Sequence, residues 1–366
     1  MQPYIPRPFP PPNLDLSPVL AQVGRANASL ARYDGLLESL VNPQVLLSPL
    51  LMKEAELSSR IEGTIATANE VYQREAGEEF GPEKTADIQE ILNYRQTLCE
   101  AADVSHEQPF SLHLIRQMHE TLMAGVRGED KNLGKFRETQ NWIGQRGCSM
   151  ENATYVPPPP VILKDLLDNF IQYLNLQQDD IDPIVQAAMV HAQFEMIHPF
   201  DDGNGRIGRI LIPLFLTRQH CLVSPSFYLS RYLETHREEY NRRLELISTR
   251  GDWIGWIRFF LEALVVQAGN NLTLIRLVNQ LYEDMKKEIS VLLHTDQAIH
   301  IVDLLFDTPV FRAPAMHSQL NIQRQRAANY IRTLKAAGII REIRPAKGSR
   351  AAILSFDALW KITEQQ

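Results

Sequence analysis

Residues 198–209 read HPFDDGNGRIGR and place a histidine, two acids, a Gly-Asn-Gly turn and two arginines within twelve positions. A glycine-rich loop that opens a helix aims unpaired backbone N–H groups, and the positive end of the helix dipole, at a phosphate. Gly203, Asn204 and Gly205 supply such a loop. Arg206 and Arg209 follow within the first turn or so, where guanidinium forks grip phosphate oxygens at two points. Asp202, directly before the loop, suits Mg²⁺, an ion held by one or two carboxylates, substrate phosphates and several waters. His198 stands four residues upstream of Asp202, and an imidazole with a reference pKa of ~6.5 suits general-base work at cell pH. These parts fit a hydroxyl that loses its proton as it attacks a phosphorus atom, while cradle and metal stabilise the phosphate charge. The pattern lacks G-x-x-x-x-G-K-[ST] and is not a G-x-G-x-x-G after a strand, which sets aside two common nucleotide folds.

A second stretch, LSSRIEGT at 57–64, raises a question of charge. Ser48-Pro49 reads as a helix start, Leu50, Leu57 and Ile61 mark one stripe, and Gly63 offers a stop, so a helix is expected over 49–62. Glu62 then lies in the last turn, where the macrodipole disfavours an anion by roughly 0.3–1 kcal/mol and a cation nearby is wanted. Ser58, one turn earlier on the same face, is placed to orient the carboxylate. The plain alternative is a solvated glutamate with no partner.

Helical elements must carry these groups. The first eighteen residues are proline-rich and read as an extended arm. Thr67 to Glu70 has capping-box spacing for a short helix that Gly77 ends, and helical patterns cover 83–102 and 111–126. Between 127 and 160 glycine, asparagine and aromatic residues predict a loop with a short hairpin, closed by the prolines at 157–160. Helical periodicity resumes at 161–176 and 183–197, and after the motif Ile207, Ile210, Leu211, Leu214 and Phe215 recur at helical spacing. The motif therefore joins two helices, the second interrupted by Pro213. Further helices are expected over 235–249 and 253–290, with Trp253 and Trp256 in the core and His191 packed or paired with Glu195. The expected architecture is mainly α.

Composition is that of a soluble globular chain: 366 residues, 44% hydrophobic and 22% charged, enough for two or three domains. No run of eighteen apolar residues occurs and the amino terminus lacks a basic and apolar leader, so no membrane is expected as partner and a cytoplasmic location is. Three widely spaced cysteines argue against a disulfide framework or zinc cluster. The net charge of −7 does not favour nucleic acid as partner of the whole chain, yet residues 298–366 carry ten Lys/Arg against five Asp/Glu. This segment reads helix, helix, helix, hairpin, the order of a winged helix. Gln323, Arg324, Arg326 and Arg332 would form a recognition face, with Arg344, Lys347 and Arg350 at the hairpin tip. Such a module contacts DNA, or it docks protein or forms a homodimer; both readings stay open.

The motif from His198 to Arg209 resembles the signature of the Fic family at every defined position, H-P-F-x-D-G-N-G-R-x-x-R. The resemblance implies a helical enzyme that transfers AMP from ATP, with Mg²⁺, to a Ser, Thr or Tyr hydroxyl of a target protein and releases pyrophosphate. It implies His198 as base, Asp202 as metal ligand, Gly203 to Gly205 as phosphate nest and Arg209 as γ-phosphate contact. Arg206 either touches phosphate or braces the loop. Ser58 to Gly63 is similar to the family's inhibitory motif S-x-x-x-E-G, which implies that Glu62 pairs with Arg209 and misplaces the γ-phosphate. Residues 134–144, GKFRETQNWIG, resemble the stretch before the family's flap, so Ser149 to Val156 would be a flap hairpin with Tyr155 and Val156 as clamps, or simply packed. Tyr240 and Asn241 occupy the place of paired tyrosines beside the adenine, and Asn241 departs from that pair. The expected organisation is an amino-terminal module over 1–110, a catalytic core over 111–290 and a winged-helix-like domain over 298–366. The expected function is an adenylyltransferase held in check by Glu62. Rival readings are a DNA-binding regulator whose core senses nucleotide, and a Fic enzyme that uses another nucleotide or removes AMP.

Overall fold

The computed structural model describes residues 2–6, 8–126, 132–144, 147–176 and 180–364, so the expectations over 127–131 and 145–146 lie outside the described residues. It is mainly helical. α1 (Leu20–Glu38), α2 (Pro43–Ile61), α3 (Ala68–Glu75), α4 (Pro82–Glu107) and α5 (Leu112–Met123) form the amino-terminal half. α6 (Leu163–Leu174), α7 (Pro183–Ile197), α8 (Asn204–Arg218), α9 (Ser230–Thr235), α10 (Arg237–Arg250) and α11 (Trp253–Leu293) follow. At 1.5 Å per residue α11, 41 residues long, runs roughly 60 Å and gives α1, α7, α10 and α12 (Ala298–Asp307) a common spine.

Local chemistry sets the helix ends that matter. Thr67 and Glu70 form the expected capping box, and Gly77 turns the chain at φ +84°. Asp182 accepts the Ile184 N–H at 3.0 Å and Pro183 takes the first position of α7. α7 is buried on nearly every side, among α6, α8, α10 and α11, which is why its sequence is apolar all round and not striped.

α2 departs from its expected start. It begins at Pro43, not at Pro49, and Pro49 is buried in its interior. Both prolines offer the same local signal; the apolar run Val45, Leu46, Leu47 ahead of Pro49 packs into the core, so burial carries the helix through a residue that lacks the ladder donor.

The carboxy-terminal part adds β1 (Val310–Arg312), α13 (Ala313–Gln319), α14 (Arg324–Ala336), β2 (Arg341–Arg344), β3 (Ile353–Ser355) and α15 (Asp357–Glu364). The strands form an antiparallel sheet in the order β1-β3-β2, with Val310 and Arg341 both opposite Ser355. β1 and α15 were not expected from the sequence; three residues are too few to show an alternation. This part packs on the rest: the Tyr72 and Trp360 rings meet edge-on at 5.3 Å, Tyr282 donates to Asp303 at 2.5 Å, and α12 lies against α2.

Candidate active site

The chain leaves α7 through a left-handed residue, and that residue is His198, at φ +48° and ψ +62°. Its N–H closes the last turn on the Phe194 carbonyl at 3.0 Å. This conformation is uncommon outside glycine, asparagine, aspartate and histidine, and it ends α7 at this residue. Nδ1 stands 3.3 Å from the Glu195 carbonyl, an acceptor, so Nδ1 carries the hydrogen and Nε2 keeps its lone pair. Burial lowers the imidazole pKa to about 4, opposed by the Glu195 carbonyl and reinforced by Arg137. His198 is therefore neutral at pH 7, the state a base requires.

Asn204 fixes the loop. Its Oδ1 accepts the Phe200 N–H at 2.9 Å and its Nδ2 donates to the Phe200 carbonyl at 2.8 Å. Gly203, left-handed at φ +79°, opens α8, and the first ladder bond runs from Ile207 N–H to the Gly203 carbonyl. The N–H groups of residues 204–206 thus precede the ladder and form the donor end of the helix. A Cβ at Gly203 would sit 3.0 Å from the Met123 sulfur, and one at Gly205 would collide with Glu62 Oε1. Gly203 is favoured by its left-handed backbone, and the bare face of Gly205 gives Glu62 its seat beside Arg209.

Arg209, 3% exposed, reaches across to α2. Nη2 donates to Glu62 Oε1 at 2.7 Å and to the Ser58 carbonyl at 2.9 Å, and Nε donates to Ser58 Oγ at 2.8 Å. Ser58 therefore orients the arginine, not the Glu62 carboxylate as the sequence suggests: it is buried one turn below the helix end and the guanidinium comes to it. Glu62 caps α2 and keeps 38% of its side chain exposed. Burial pushes its pKa up, and the Arg209 charge and hydrogen bond, with Arg206 and His198, bring it below the usual range.

Arg206 turns inward. It is 3% exposed, lies 3.5 Å from Glu90 and 3.8 Å from Asp202, and touches the Met123 sulfur, a placement that favours the loop-bracing alternative. Asp202 accepts the Gly203 N–H at 2.7 Å with its side chain 43% exposed. Among the described residues no three His, Cys, Asp or Glu side chains gather as a metal site. Mg²⁺ held by one carboxylate, waters and substrate phosphates needs no such group, and Asp202 fits that donor set.

One cavity of about 650 Å³ collects Glu62, His198, Gly205, Arg209, Tyr155, Tyr240 and Asn241, together with Glu195, Trp142, Ile143, Arg237 and Glu245. Tyr240 is buried, and its hydroxyl meets His191 Nε2 at 2.9 Å; of its two expected states His191 is packed, against Tyr240 and Trp256, and makes no hydrogen bond to Glu195. Trp253 and Trp256 are in the core. The flap departs from a hairpin over 149–156. A single antiparallel bridge joins Ile143 to Tyr155, and residues 150–152 form a 3₁₀ turn. Tyr155 lines the cavity and donates to the Met196 carbonyl at 2.7 Å. Val156 does not line it: it is buried, and its carbonyl accepts the Tyr4 N–H. Of its two readings, packing is the one the structure holds.

Arg137 and His119 are site residues that the sequence did not single out. Arg137 is buried and donates from Nε to the His198 carbonyl at 2.9 Å and from Nη2 to the Pro158 carbonyl at 2.5 Å, while its N–H donates to the Pro199 carbonyl. His119 stacks on Phe200 at 3.9 Å and contacts the Asp202 carbonyl at 3.2 Å. Both lie more than sixty residues from the motif they hold, and no local spacing marks them.

The helical frame that carries this cavity is shared with solved Fic-protein structures. A Fic family protein from Desulfovibrio desulfuricans G20 superposes with a TM-score of 0.62 at 18% identity, over 95% of this chain and 98% of that one. Fic-1 of C. elegans, residues 134–508, gives 0.54 at 20% identity over 70% and 74%. At these identities the likeness speaks for the fold. Residues 20–103 match the Fic/DOC family N-terminal model and residues 109–216 the Fic/DOC family model, together more than half of the chain, and the protein belongs to the Fic/DOC family. Among curated relatives, a probable protein adenylyltransferase of Aquifex aeolicus is 30% identical over 165 residues, 43% of this chain and 48% of the relative. The protein adenylyltransferase Fic of Drosophila grimshawi is 38% identical over 162 residues, 44% of this chain and 30% of the relative. The matched region spans less than half the length of these relatives. No helix among the described residues is long and apolar enough to cross a membrane.

Proposed function

We propose that the protein is an adenylyltransferase that moves AMP from ATP to a Ser, Thr or Tyr hydroxyl of a target protein, with Glu62 as its brake. The observation that carries this reading is the meeting of His198 Nε2, the amino-terminal end of α8 and the Arg209 guanidinium in one cavity. The triphosphate lies along the helix end, its γ-phosphate on Arg209 and its α-phosphate facing His198. The target oxygen forms a bond to the α-phosphorus as its proton passes to Nε2, and the bond from that phosphorus to the pyrophosphate oxygen breaks. Asp202 would hold Mg²⁺, and the ion would supply neutralisation of the phosphate charge. The names of the curated relatives, protein adenylyltransferases, support the reaction class.

The contact of Glu62 with Arg209 supports the brake. Glu62 occupies Arg209 at 2.7 Å, so a γ-phosphate that seeks the same guanidinium meets a carboxylate in its place. Self-labelling with radiolabelled ATP tests both halves. Glu62→Gly should label faster than wild type, and His198→Ala in that background should lose roughly 10²-fold or more. An unchanged rate in the first variant rejects the brake, and an unchanged rate in the second rejects the base. A panel of labelled nucleotides with the Glu62→Gly protein and cell lysate identifies the donor; exclusive labelling from a nucleotide other than ATP, or net removal of AMP, replaces adenylyl transfer by the rival Fic reactions.

The carboxy-terminal part we read as a winged helix, supported by its order of helix, strand, two helices and a closing hairpin. Gln323 at the cap of α14 and Arg324, Arg326 and Arg332 on it are exposed while Ala327, Tyr330 and Leu334 are buried, as a recognition helix requires.

A further inference from the structure

Glu195 lines the cavity, and the transfer proposed above gives it no task. It lies on α7, one turn before His198, and its Oε1 is buried with no hydrogen-bond partner among the described residues. That oxygen fills the space a Cβ at Gly208 would take, as Glu62 Oε1 fills the space over Gly205. Gly205 and Gly208 are three apart on α8 and share a face, so two carboxyls are seated side by side there, next to Arg209. The charged and titratable groups facing Glu195 are Glu62 on α2, Arg209 on α8 and Tyr240 on α10, with His191 and His198 on its own helix. Both histidines are neutral at pH 7, burial having lowered them to about 3 and about 4. Burial pushes the Glu195 carboxyl up to about 8, against the pull of Arg209 and with the repulsion of Glu62. One cation therefore faces one anion and one neutral acid.

We propose that Glu195 is a positioning residue for Arg209: protonated, it leaves the guanidinium to Glu62 or to the phosphates of a nucleotide, and ionised, it takes the guanidinium for itself. The inference rests on the reading of Arg209 as a phosphate contact. A polyphosphate that replaces Glu62 restores the negative charge beside Glu195 and keeps it protonated, so nucleotide binding is linked to a proton on this carboxyl. Above the carboxyl's own titration the affinity falls with pH, by at most about tenfold per unit.

The test compares full-length Glu62→Gly with Glu62→Gly/Glu195→Gln. Affinity for ATP with Mg²⁺ is measured by titration calorimetry from pH 7 to 9, in buffers of different ionisation enthalpy that report proton uptake. The first protein should bind several-fold more weakly at the alkaline end and take up a proton on binding. The Gln variant should bind with a flat profile and no uptake, and Glu195→Ala in the same background should match it. Equal slopes in both proteins, or a flat profile in the first, overturn the proposal. Transfer of AMP measured on the same samples separates the two readings. Glu195-dependent proton uptake without transfer keeps this inference and rejects the proposed function, whereas transfer with pH-independent affinity does the reverse. A Glu62→Gly protein that binds no ATP rejects both.

Discussion

His198 owes its orientation to Arg137, a residue whose guanidinium stands beneath the loop and donates to the carbonyls of His198 and Pro158. Such charge-assisted bonds to carbonyls that cannot reach water are strong, and the loss of several leaves each acceptor desolvated and unpaired. Arg137→Ala is expected to cost roughly 2–4 kcal/mol in urea denaturation and to lower transfer in a Glu62→Gly background even where the protein is folded. A full rate in the folded variant would show that the imidazole holds its place without this support. Arg137 stands in the GKFRETQ stretch, yet nothing in its neighbours marks it apart from any other arginine. Its partners are backbone carbonyls, which every residue carries. Asn204 shows the same point in reverse: read as part of a phosphate nest, its side chain is spent on Phe200, and only its N–H remains at the helix end.

At the scale of elements, the position of α2 decides whether Arg209 is free. Glu54, buried two turns before Glu62, accepts from Ser230 Oγ at 2.5 Å, from Ser230 N–H at 3.1 Å and from Tyr94 at 3.1 Å, and so ties α2 to α9 and α4. Glu54→Leu removes both acceptor oxygens and leaves the buried Ser230 N–H without a partner. It should cost roughly 1–3 kcal/mol by thermal or urea unfolding and raise self-labelling as α2 loosens. A destabilised variant with the wild-type labelling rate would detach the seating of α2 from the proposed brake. The start of α2 carries a lesson about local signals. Ser48-Pro49 has the right residue types for a helix start, and the helix runs through it because Leu46, Leu47 and Leu50 all face the core.

Across the whole molecule, three buried histidines set the response to acid. His119 is lowered to about 4, His191 to about 3 and His198 to about 4, each chiefly by burial. An unfolded histidine takes a proton near ~6.5, so the unfolded state binds more protons as pH falls, and folded stability is lost from there downward through the folded values. Glu195, raised to about 8, acts with the opposite sign and loses stability as pH rises, but one carboxyl offsets only part of three imidazoles. The unfolding free energy at pH 5 should lie roughly 2–4 kcal/mol below that at pH 7; an equal or higher value at pH 5 would show that the histidines are solvated. The carboxy-terminal part meets the amino-terminal half through charge. Arg344 pairs with Glu78 at 2.6 Å and Arg350 with Glu79 at 3.3 Å, so two of the three hairpin-tip cations read as DNA contacts are already engaged within the chain. Arg324, Arg326 and Arg332 are exposed and would be left to meet a duplex, if the module binds one. A gel shift should therefore show weak binding that falls with salt and with Arg324→Ala; no shift at low salt would leave protein docking as the use of this surface.

The residues that could do chemistry were legible from their order alone, because a helix, a turn and a second helix fix the relation of His198, Asp202, Gly203 and Arg209 within twelve positions. The pairing of Glu62 with Arg209 was also legible, though only through the likeness of its motif, since 147 residues separate the two. What the tertiary structure alone decided are contacts whose partners are distant and whose local signals are ordinary: Ser58 turned to the arginine, Arg206 turned inward, Val156 buried, and Arg137 and His119 brought under the loop. Spacing constrains neighbours along a helix, whereas burial is settled by every element that arrives, and it is burial that sets which carboxyl is charged and which imidazole is neutral.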